Sequence, residues 1–159
     1  KGNMIFNLDK AKELRSNTED VLIVEGYMDV VSVYASGVKN VIANSGTAIT
    51  ERQINLIWKF FKKPVICLDG DDSGQRAAIR IAERLLPFIN ENNKIYFSIM
   101  PSGMDPDDFI KKFGKDELLN LLKKKEIIHF FIWNFHLSKI NQRDPYEISK
   151  FEKEIKKRA

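Results

Sequence analysis

The chain has 159 residues, which allows one compact domain with a small appendage but hardly a second full domain. Hydrophobic residues make up 43% and charged residues 30%, a balance typical of globular proteins that excludes a disordered chain. The net charge of +4 is compatible with a polyanionic partner, and a single cysteine excludes an internal disulfide framework or a structural zinc site in this chain.

Four short runs rich in β-branched residues predict strands at 21–24, 40–43, 64–68 and 94–99. The segments between the strands have apolar residues at helical spacing. These residues are Met28, Val31, Tyr34 and Ala35, then Ile54, Ile57, Trp58 and Phe61, then Ala78, Ile81, Ala82 and Leu85. Strands that alternate with crossover helices predict an α/β fold, with a doubly wound, mainly parallel, four-stranded sheet flanked by helices.

Local signals support these helices and the strand at 64–68. Gly37 follows the first crossover segment, where a left-handed helix end is favoured, and Thr50 or Ser73 can cap the helices that follow them. Cys67 lies within an apolar run, which favours a buried, structural thiol.

The chain changes character after Pro101. Apolar residues at 118–122 and 127–135 are spaced as in amphipathic helices. Pro145 interrupts the pattern, and the apolar spacing at 146–158 predicts one more helix. We expect no further strand there, and instead a C-terminal helical subdomain that is cut short. Because Lys1 is not preceded by an initiator methionine, we also expect the chain to be a fragment of a longer protein.

No stretch approaches the roughly 20 apolar residues needed to span a bilayer, and the first residues do not form a signal peptide. We therefore expect a cytoplasmic protein with no membrane partner.

Three acidic pairs each follow a predicted strand: Glu25 and Asp29, Asp69 and Asp71, and Asp105 and Asp107. The carboxyl ends of parallel strands meet at one edge of a sheet, so three loops can build one site. Several carboxylates at close range repel one another unless cations compensate. All-oxygen ligands favour Mg²⁺ or Mn²⁺, two of which can support phosphoryl or nucleotidyl transfer.

Some acidic residues have simpler interpretations. Asp72 and Asp108 are expected at helix N-termini, as capping or first-turn residues. Any one of the other acids is, by itself, as compatible with a solvated loop carboxylate as with a metal ligand. The joint pattern, with each pair just beyond a strand, favours the metal site.

Four motifs together resemble the Toprim domain of bacterial DNA primases, a resemblance that extends from about residue 1 to residue 114. The motifs are Glu-Gly-Tyr-Met-Asp at 25–29, Asn-Ser-Gly-Thr at 44–47, Asp-Gly-Asp-Asp-Ser-Gly at 69–74 and Asp-Pro-Asp at 105–107. The resemblance implies three segments: the end of a preceding basic subdomain at 1–15, a Toprim domain at 16–114 and a truncated helical subdomain at 115–159.

The resemblance also implies an activity, the synthesis of short RNA primers on a single-stranded DNA template from ribonucleoside triphosphates. Glu25, Asp69 and Asp71 are then the primary catalytic metal ligands, with Asp69 bridging two ions, and Glu25 is alternatively a general base. Asp29, Asp105 and Asp107 complete the metal site.

Further partners follow from the same resemblance. Related primases have an N-terminal zinc module for template binding and a C-terminal domain that binds the replicative helicase, and neither is seen in this chain. Lys1, Arg76 and Arg80 are candidate contacts to nucleotide or nucleic acid. For Lys1 a frayed terminal lysine is almost as compatible, and for the two arginines a solvated helix face is the simpler interpretation.

Two other functions are open on the sequence. A Toprim nuclease would use the same carboxylates to activate water, and would cleave DNA without making RNA. A non-catalytic module would use its acidic surface to bind a basic protein, and would be indifferent to metal.

Overall fold

The structure is a computed structural model that describes residues 4–14, 20–44, 48–139, 141 and 144–158, with side chains up to residue 153. Its strands are β1 (Asp20–Val24), β2 (Val41–Ala43), β3 (Lys63–Leu68), β4 (Tyr96–Ile99) and β5 (Glu126–Ile127). Its helices are α1 (Leu8–Glu13), α2 (Tyr27–Ala35), α3 (Glu51–Trp58), α4 (Asp72–Leu85), α5 (Pro106–Leu122), α6 (Ile128–Leu137) and α7 (Pro145–Arg158). A short 3₁₀ turn at Leu86–Phe88 follows α4.

The strands form one sheet in the order β2-β1-β3-β4-β5. The pairs among the first four are parallel, and β5 pairs antiparallel with β4. The doubly wound, mainly parallel sheet is therefore confirmed, with a boundary shift of at most two residues at each predicted strand. Strand β2 lies on one side of β1, and β3 and β4 follow on the other side. Open α/β sheets bind their ligands at such a switch point, where the strand order changes direction.

Each face of the sheet has its own apolar core, because alternate residues of a strand point to opposite faces. In β1, Val21 and Ile23 join the cluster beneath α1, α3, α4 and α6, whereas Leu22 and Val24 join the cluster beneath α2 and α5. Cys67 is fully buried in the second cluster, as its apolar surroundings predicted. Helices cover both faces, and the strand ends are left to form the site.

The helix ends largely follow the predicted signals. Thr50 caps α3 by accepting a hydrogen bond from the backbone N–H of Gln53 at 3.3 Å, while the Gln53 side chain accepts one from the Thr50 backbone N–H at 2.9 Å. Gly37 has φ +100° just after α2, and the N–H of Val38 reaches back to the carbonyl of Val33. Ser73 does not cap α4, because Asp71 takes that position.

The predicted helix over α2 is correct but its buried face is not the expected one. Met28 and Val31 are 52% and 50% exposed, and the buried residues are Asp29, Val30 and Val33. A nine-residue helix with apolar residues on several sides gives no unique stripe, so packing against the sheet and α5 decides the face. One consequence is that the Asp29 carboxylate is carried on the buried side.

The C-terminal part adds a strand that the sequence analysis did not expect. Residues of β5 pair with Tyr96 and Phe97 of β4, which extends the sheet to five strands. A two-residue strand is too short to leave a periodic signal. The predicted helices are present as the second part of α5, which kinks at Gly114 where φ is +80°, and as α6 and α7.

None of the helices in the described part of the chain is long and apolar enough to cross a bilayer.

Candidate metal centre

The acidic loops of the sequence motifs lie at the carboxyl end of the parallel sheet. Glu25 directly follows β1, Asp69 directly follows β3, and Asp105 lies at the start of α5 in the connection from β4. Since β1, β3 and β4 are parallel neighbours, their following loops share one edge. The topology therefore brings the three motifs together, as the sequence predicted.

Asp69 is the centre of this cluster. Its pKa is raised to about 7, first by burial and then by the negative charges of Glu25, Asp29, Asp105 and Asp71, in that order. Its Oδ1 atom is buried and has no hydrogen-bond partner among the described residues. A buried carboxylate oxygen without a donor is costly unless a proton or a cation compensates it. The Asp69 side chain thus fits a bound cation.

Gly70 ties the loop of Asp69 to the loop that follows β4. Its N–H donates to the carbonyl of Met104 at 3.0 Å, and its own carbonyl accepts from the N–H of Gly103 at 3.4 Å. A Cβ at position 70 would lie only 1.9 Å from the carbonyl oxygen of Pro101. Only glycine allows this approach, which sets the distance between the second and third acidic motifs.

Asp71 and Asp105 are helix caps as well as members of the cluster. The Oδ1 of Asp71 accepts the N–H of Gly74 at 2.6 Å, and the Oδ1 of Asp105 accepts the N–H of Asp108 at 2.7 Å. Their backbones are nearly identical, with φ and ψ of −99° and 172° at Asp71 and −100° and 173° at Asp105. Each cap fixes one carboxylate oxygen and aims the positive end of a helix dipole at the acidic edge.

The predicted helix-terminal positions of Asp72 and Asp108 are confirmed, but neither residue is the cap. Both lie in the first turn of their helices, α4 and α5, and both are exposed. Asp71, Asp72 and Ser73 are all good capping residues, so the sequence alone does not fix where the helix starts.

Asp29 is 8% exposed, and burial is the largest cause that raises its pKa. The charges of Asp105 and Asp107 raise the pKa further, whereas hydrogen bonds from the backbone N–H groups of Gly26 and Asp107 lower it. The bond from Gly26 measures 2.9 Å. The carboxylate thus links the start of α2 to the start of α5.

Asp107 differs from Asp69 because both of its oxygens are occupied. Ser32 Oγ donates to one oxygen, and Lys111 Nζ lies 2.5 Å from the other. The hydrogen bond from Lys111 and then that from Ser32 lower the pKa of Asp107. Neither partner was predicted from the sequence, although the i,i+4 spacing of Asp107 and Lys111 on a predicted helix was a usable signal.

A second acidic group overlaps the first. Carboxylate oxygens of Asp105, Asp107 and Asp108 lie within 4.8 Å of one another, a spacing that a metal ion could use. These residues are close because they share one helix turn, and Lys111 already neutralises Asp107 there. The centre around Asp69 is the better candidate for a metal site. One oxygen of Asp69 has no partner among the described residues, and the charges that shift its pKa are all negative.

The predicted basic contacts have different positions. Arg76 and Arg80 are exposed on α4, and Arg80 lines a cavity of about 320 Å³ together with Glu25 and Asn44. Arg80 therefore lies beside the acidic edge. Lys1 lies outside the described residues.

The fold and the acidic edge define a Toprim-like domain, and the comparison with protein families agrees. A family model described as Toprim-like matches residues 22–110, which is more than half of the chain. The chain belongs to the Toprim-like family.

Several DNA primases are similar to this chain in sequence. The DNA primase of Rickettsia prowazekii (strain Madrid E) is 34% identical over 98% of this chain and 26% of its own length. The DNA primase of Aquifex aeolicus (strain VF5) is 43% identical over 77% of this chain and 24% of its own length. The chain spans about a quarter of the length of these curated relatives.

Solved primase structures have the same fold. The E. coli primase catalytic core matches with a TM-score of 0.85 and 28% identity, over 95% of this chain and 48% of that chain. A DnaG primase catalytic domain bound to single-stranded DNA matches with a TM-score of 0.84 and 28% identity, over 94% of this chain and 48% of that chain. The α/β fold of this chain is therefore that of DnaG catalytic cores.

Proposed function

We propose that this chain is the metal-binding catalytic part of a DNA primase, which makes short RNA primers on single-stranded DNA from ribonucleoside triphosphates. The observation that carries the proposal is the Asp69 carboxylate, with a buried oxygen that lacks a partner in the described structure and four acidic neighbours. The similarity to primases along almost the whole chain supports this reaction over other Toprim chemistries.

In this proposal Glu25, Asp69 and Asp71 hold Mg²⁺ or Mn²⁺, and Asp29 and Asp105 complete the set. The all-oxygen donors suit these hard cations, and no histidine or cysteine side chain is needed. When bound, two such cations would neutralise the triphosphate and the leaving pyrophosphate while activating the attacking 3′ hydroxyl. The protein's own contribution is to hold the carboxylates at fixed spacing.

That spacing is set by the backbone. Gly70 joins the loop of Asp69 to the loop of Asp105, and the capping bonds of Asp71 and Asp105 restrict each side chain to one orientation. Rigid carboxylates lose little entropy when a cation binds. The helix N-termini behind them favour negative charge and offset part of the repulsion within the cluster.

The partners of the whole protein are part of the same proposal. We propose a single-stranded DNA template, as in the DNA-bound DnaG domain, ribonucleoside triphosphates as substrates, and a replicative helicase bound through a part of the protein outside this chain. Arg80, beside Glu25, is proposed to contact the triphosphate or the nucleic acid. Lys1 and Arg76 remain predictions from the sequence. We propose that the protein acts in the bacterial cytoplasm.

The test uses the full-length parent protein with single-stranded DNA, NTPs and either Mg²⁺ or Mn²⁺. Glu25→Gln and Asp69→Asn each lower primer synthesis by about 10³-fold or more, because each removes a metal ligand. The matched control is Asp9→Asn, which removes an exposed acid on α1 that is paired with Lys12. Primer synthesis that survives both site substitutions would overturn the proposal, and cleavage of the DNA without RNA products would favour a nuclease.

A further inference from the structure

Two helices of the site, α2 and α5, are joined by polar contacts. The backbone N–H of Asp107 on α5 lies close enough to the Asp29 carboxylate on α2 to lower its pKa. The Asp107 carboxylate on α5 accepts the hydroxyl of Ser32, which lies one turn beyond Asp29 on α2. We call this set of three residues the α2–α5 clamp.

The clamp joins the two elements that carry outer members of the acidic cluster. Helix α2 carries Asp29, and helix α5 begins at its cap Asp105, two residues before Asp107. The hydrogen bond from the Gly70 N–H to the Met104 carbonyl holds the start of α5 beside the loop of Asp69. Asp29 and Asp105 both lie close enough to interact with the Asp69 charge. Val30 and Val33 share an apolar cluster with Phe109 and Leu118 of α5, and the bond from Ser32 to Asp107 adds a directional contact to this packing.

Both carboxylate oxygens of Asp107 already accept hydrogen bonds, unlike the buried oxygen of Asp69. One oxygen accepts Ser32 Oγ and the other lies 2.5 Å from Lys111 Nζ. A cation that used Asp107 would share its oxygens with these donors and would approach the ammonium group of Lys111, which repels it. No such obstacle is seen at the partnerless oxygen of Asp69.

We propose that Asp107 and Ser32 are positioning residues, which hold α2 against α5 so that Asp29 and Asp105 stay in place around Asp69. This inference rests on the proposed metal centre and refines it, because it assigns to Asp107 a role other than ligation. Residues that orient metal ligands in this way typically change metal affinity by about 10-fold or more when they are removed.

The test measures Mn²⁺ affinity of the 159-residue chain by isothermal titration calorimetry, with melting curves to show that each variant is folded. Ser32→Ala and Asp107→Ala each weaken binding by about 10-fold, and the double variant is no weaker than either, since both remove the same bond. Asp107→Asn keeps an acceptor for Ser32 and stays within about 3-fold of the wild type.

The matched control is Ser36→Ala on the same helix. Ser36 Oγ donates at 2.7 Å to the carbonyl of Val33 within α2, so its removal breaks a local bond and leaves the contact with α5 intact. Mn²⁺ affinity is expected to be unchanged in this variant.

Two results would overturn the clamp. If Asp107→Asn binds as poorly as Asp107→Ala while Ser32→Ala binds normally, Asp107 is a ligand. If the variants melt earlier but bind Mn²⁺ normally, the bond stabilises the fold alone. Failure of the metal centre itself looks different, because then the wild type does not bind Mn²⁺ or Asp69→Asn binds it equally well.

Discussion

Carboxylates at the two ends of the parallel sheet have opposite surroundings. At the amino end of β1, Asp20 forms an ion pair with Lys125, whose ammonium also lies 5.1 Å from the centre of the Tyr96 ring. At the carboxyl end, Asp69 is surrounded by four carboxylates and has an oxygen with no partner in the described structure. A lysine of the protein neutralises the carboxylate at one end, whereas the Asp69 cluster at the other end is compatible with a divalent cation.

The same contrast appears on a smaller scale within the acidic edge. Asp107 is neutralised by Lys111 and its pKa falls, whereas the pKa of Asp69 rises to about 7. Two carboxylates of one motif series therefore have different electrostatic conditions. Three substitutions test this comparison separately: one at Gly70, which holds the loops together, one at Asp69 and one at Lys125 in the ion pair with Asp20.

The largest expected effect comes from Gly70→Ala, which disrupts the close contact between the loop of Asp69 and the loop that follows β4. The new Cβ would lie 1.9 Å from the carbonyl oxygen of Pro101 and 2.5 Å from that of Met100, so the two loops must move apart. We expect a loss of about 3 kcal/mol in the free energy of unfolding, measured by urea denaturation.

Gly103→Ala is the control for this prediction. Gly103, unlike Gly70, has a positive φ, +75°, and a Cβ there meets nothing within 4 Å. The cost is then the left-handed conformation alone, about 1 kcal/mol. Equal losses in the two variants would show that close contact at Gly70 does not set the spacing of the loops.

This spacing marks the limit of what the sequence could predict. The convergence of Glu25 and Asp69 was predictable, because buried apolar strands imply a parallel sheet and parallel strands deliver their loops to one edge. The contact between Gly70 and Pro101 was not, since it depends on how two loops far apart in sequence pack together.

Choices among equivalent local solutions were also beyond the sequence. Asp71, Asp72 and Ser73 can each cap a helix, and the fold selects Asp71. Likewise, the apolar residues of α2 permit more than one buried face, and the selected face carries Asp29 and Ser32 toward α5. The bond from Ser32 to Asp107 follows from that rotation, so a helix predicted with the other face buried does not contain it.

A smaller effect is expected from Asp69→Asn, which removes the charge at the acidic edge. The native pKa of about 7 lies above the ordinary value of 3.8. Between these values the folded state binds more protons than the unfolded state, so metal-free stability falls as pH rises from about 4 to about 7. Above that window the repulsion is fully present.

Without metal, Asp69→Asn should therefore be more stable than the wild type at pH 8, by about 1–2 kcal/mol after solvent screening of this partly buried group. Stability at pH 4 should be similar in the two proteins. Urea denaturation in EDTA across this range is the measurement. Saturating Mn²⁺ at pH 8 should stabilise the wild type and not the variant. A wild type whose stability is independent of pH between 4 and 8 would contradict the proposed repulsion around Asp69.

The smallest effect is expected at the opposite end, from Lys125→Met. The Asp20 side chain is 46% exposed, so solvent weakens its attraction to Lys125, and methionine keeps an apolar stem beside Tyr96. We expect a loss of about 0.5 kcal/mol in unfolding free energy that shrinks further in high salt. Mn²⁺ affinity should not change, because the ion pair lies at the amino end of β1 and the metal centre at its carboxyl end. A clear change in Mn²⁺ affinity would show that the two ends of the sheet are electrostatically coupled. The ion pair of Asp20 and the acidic cluster around Asp69 would then not be independent.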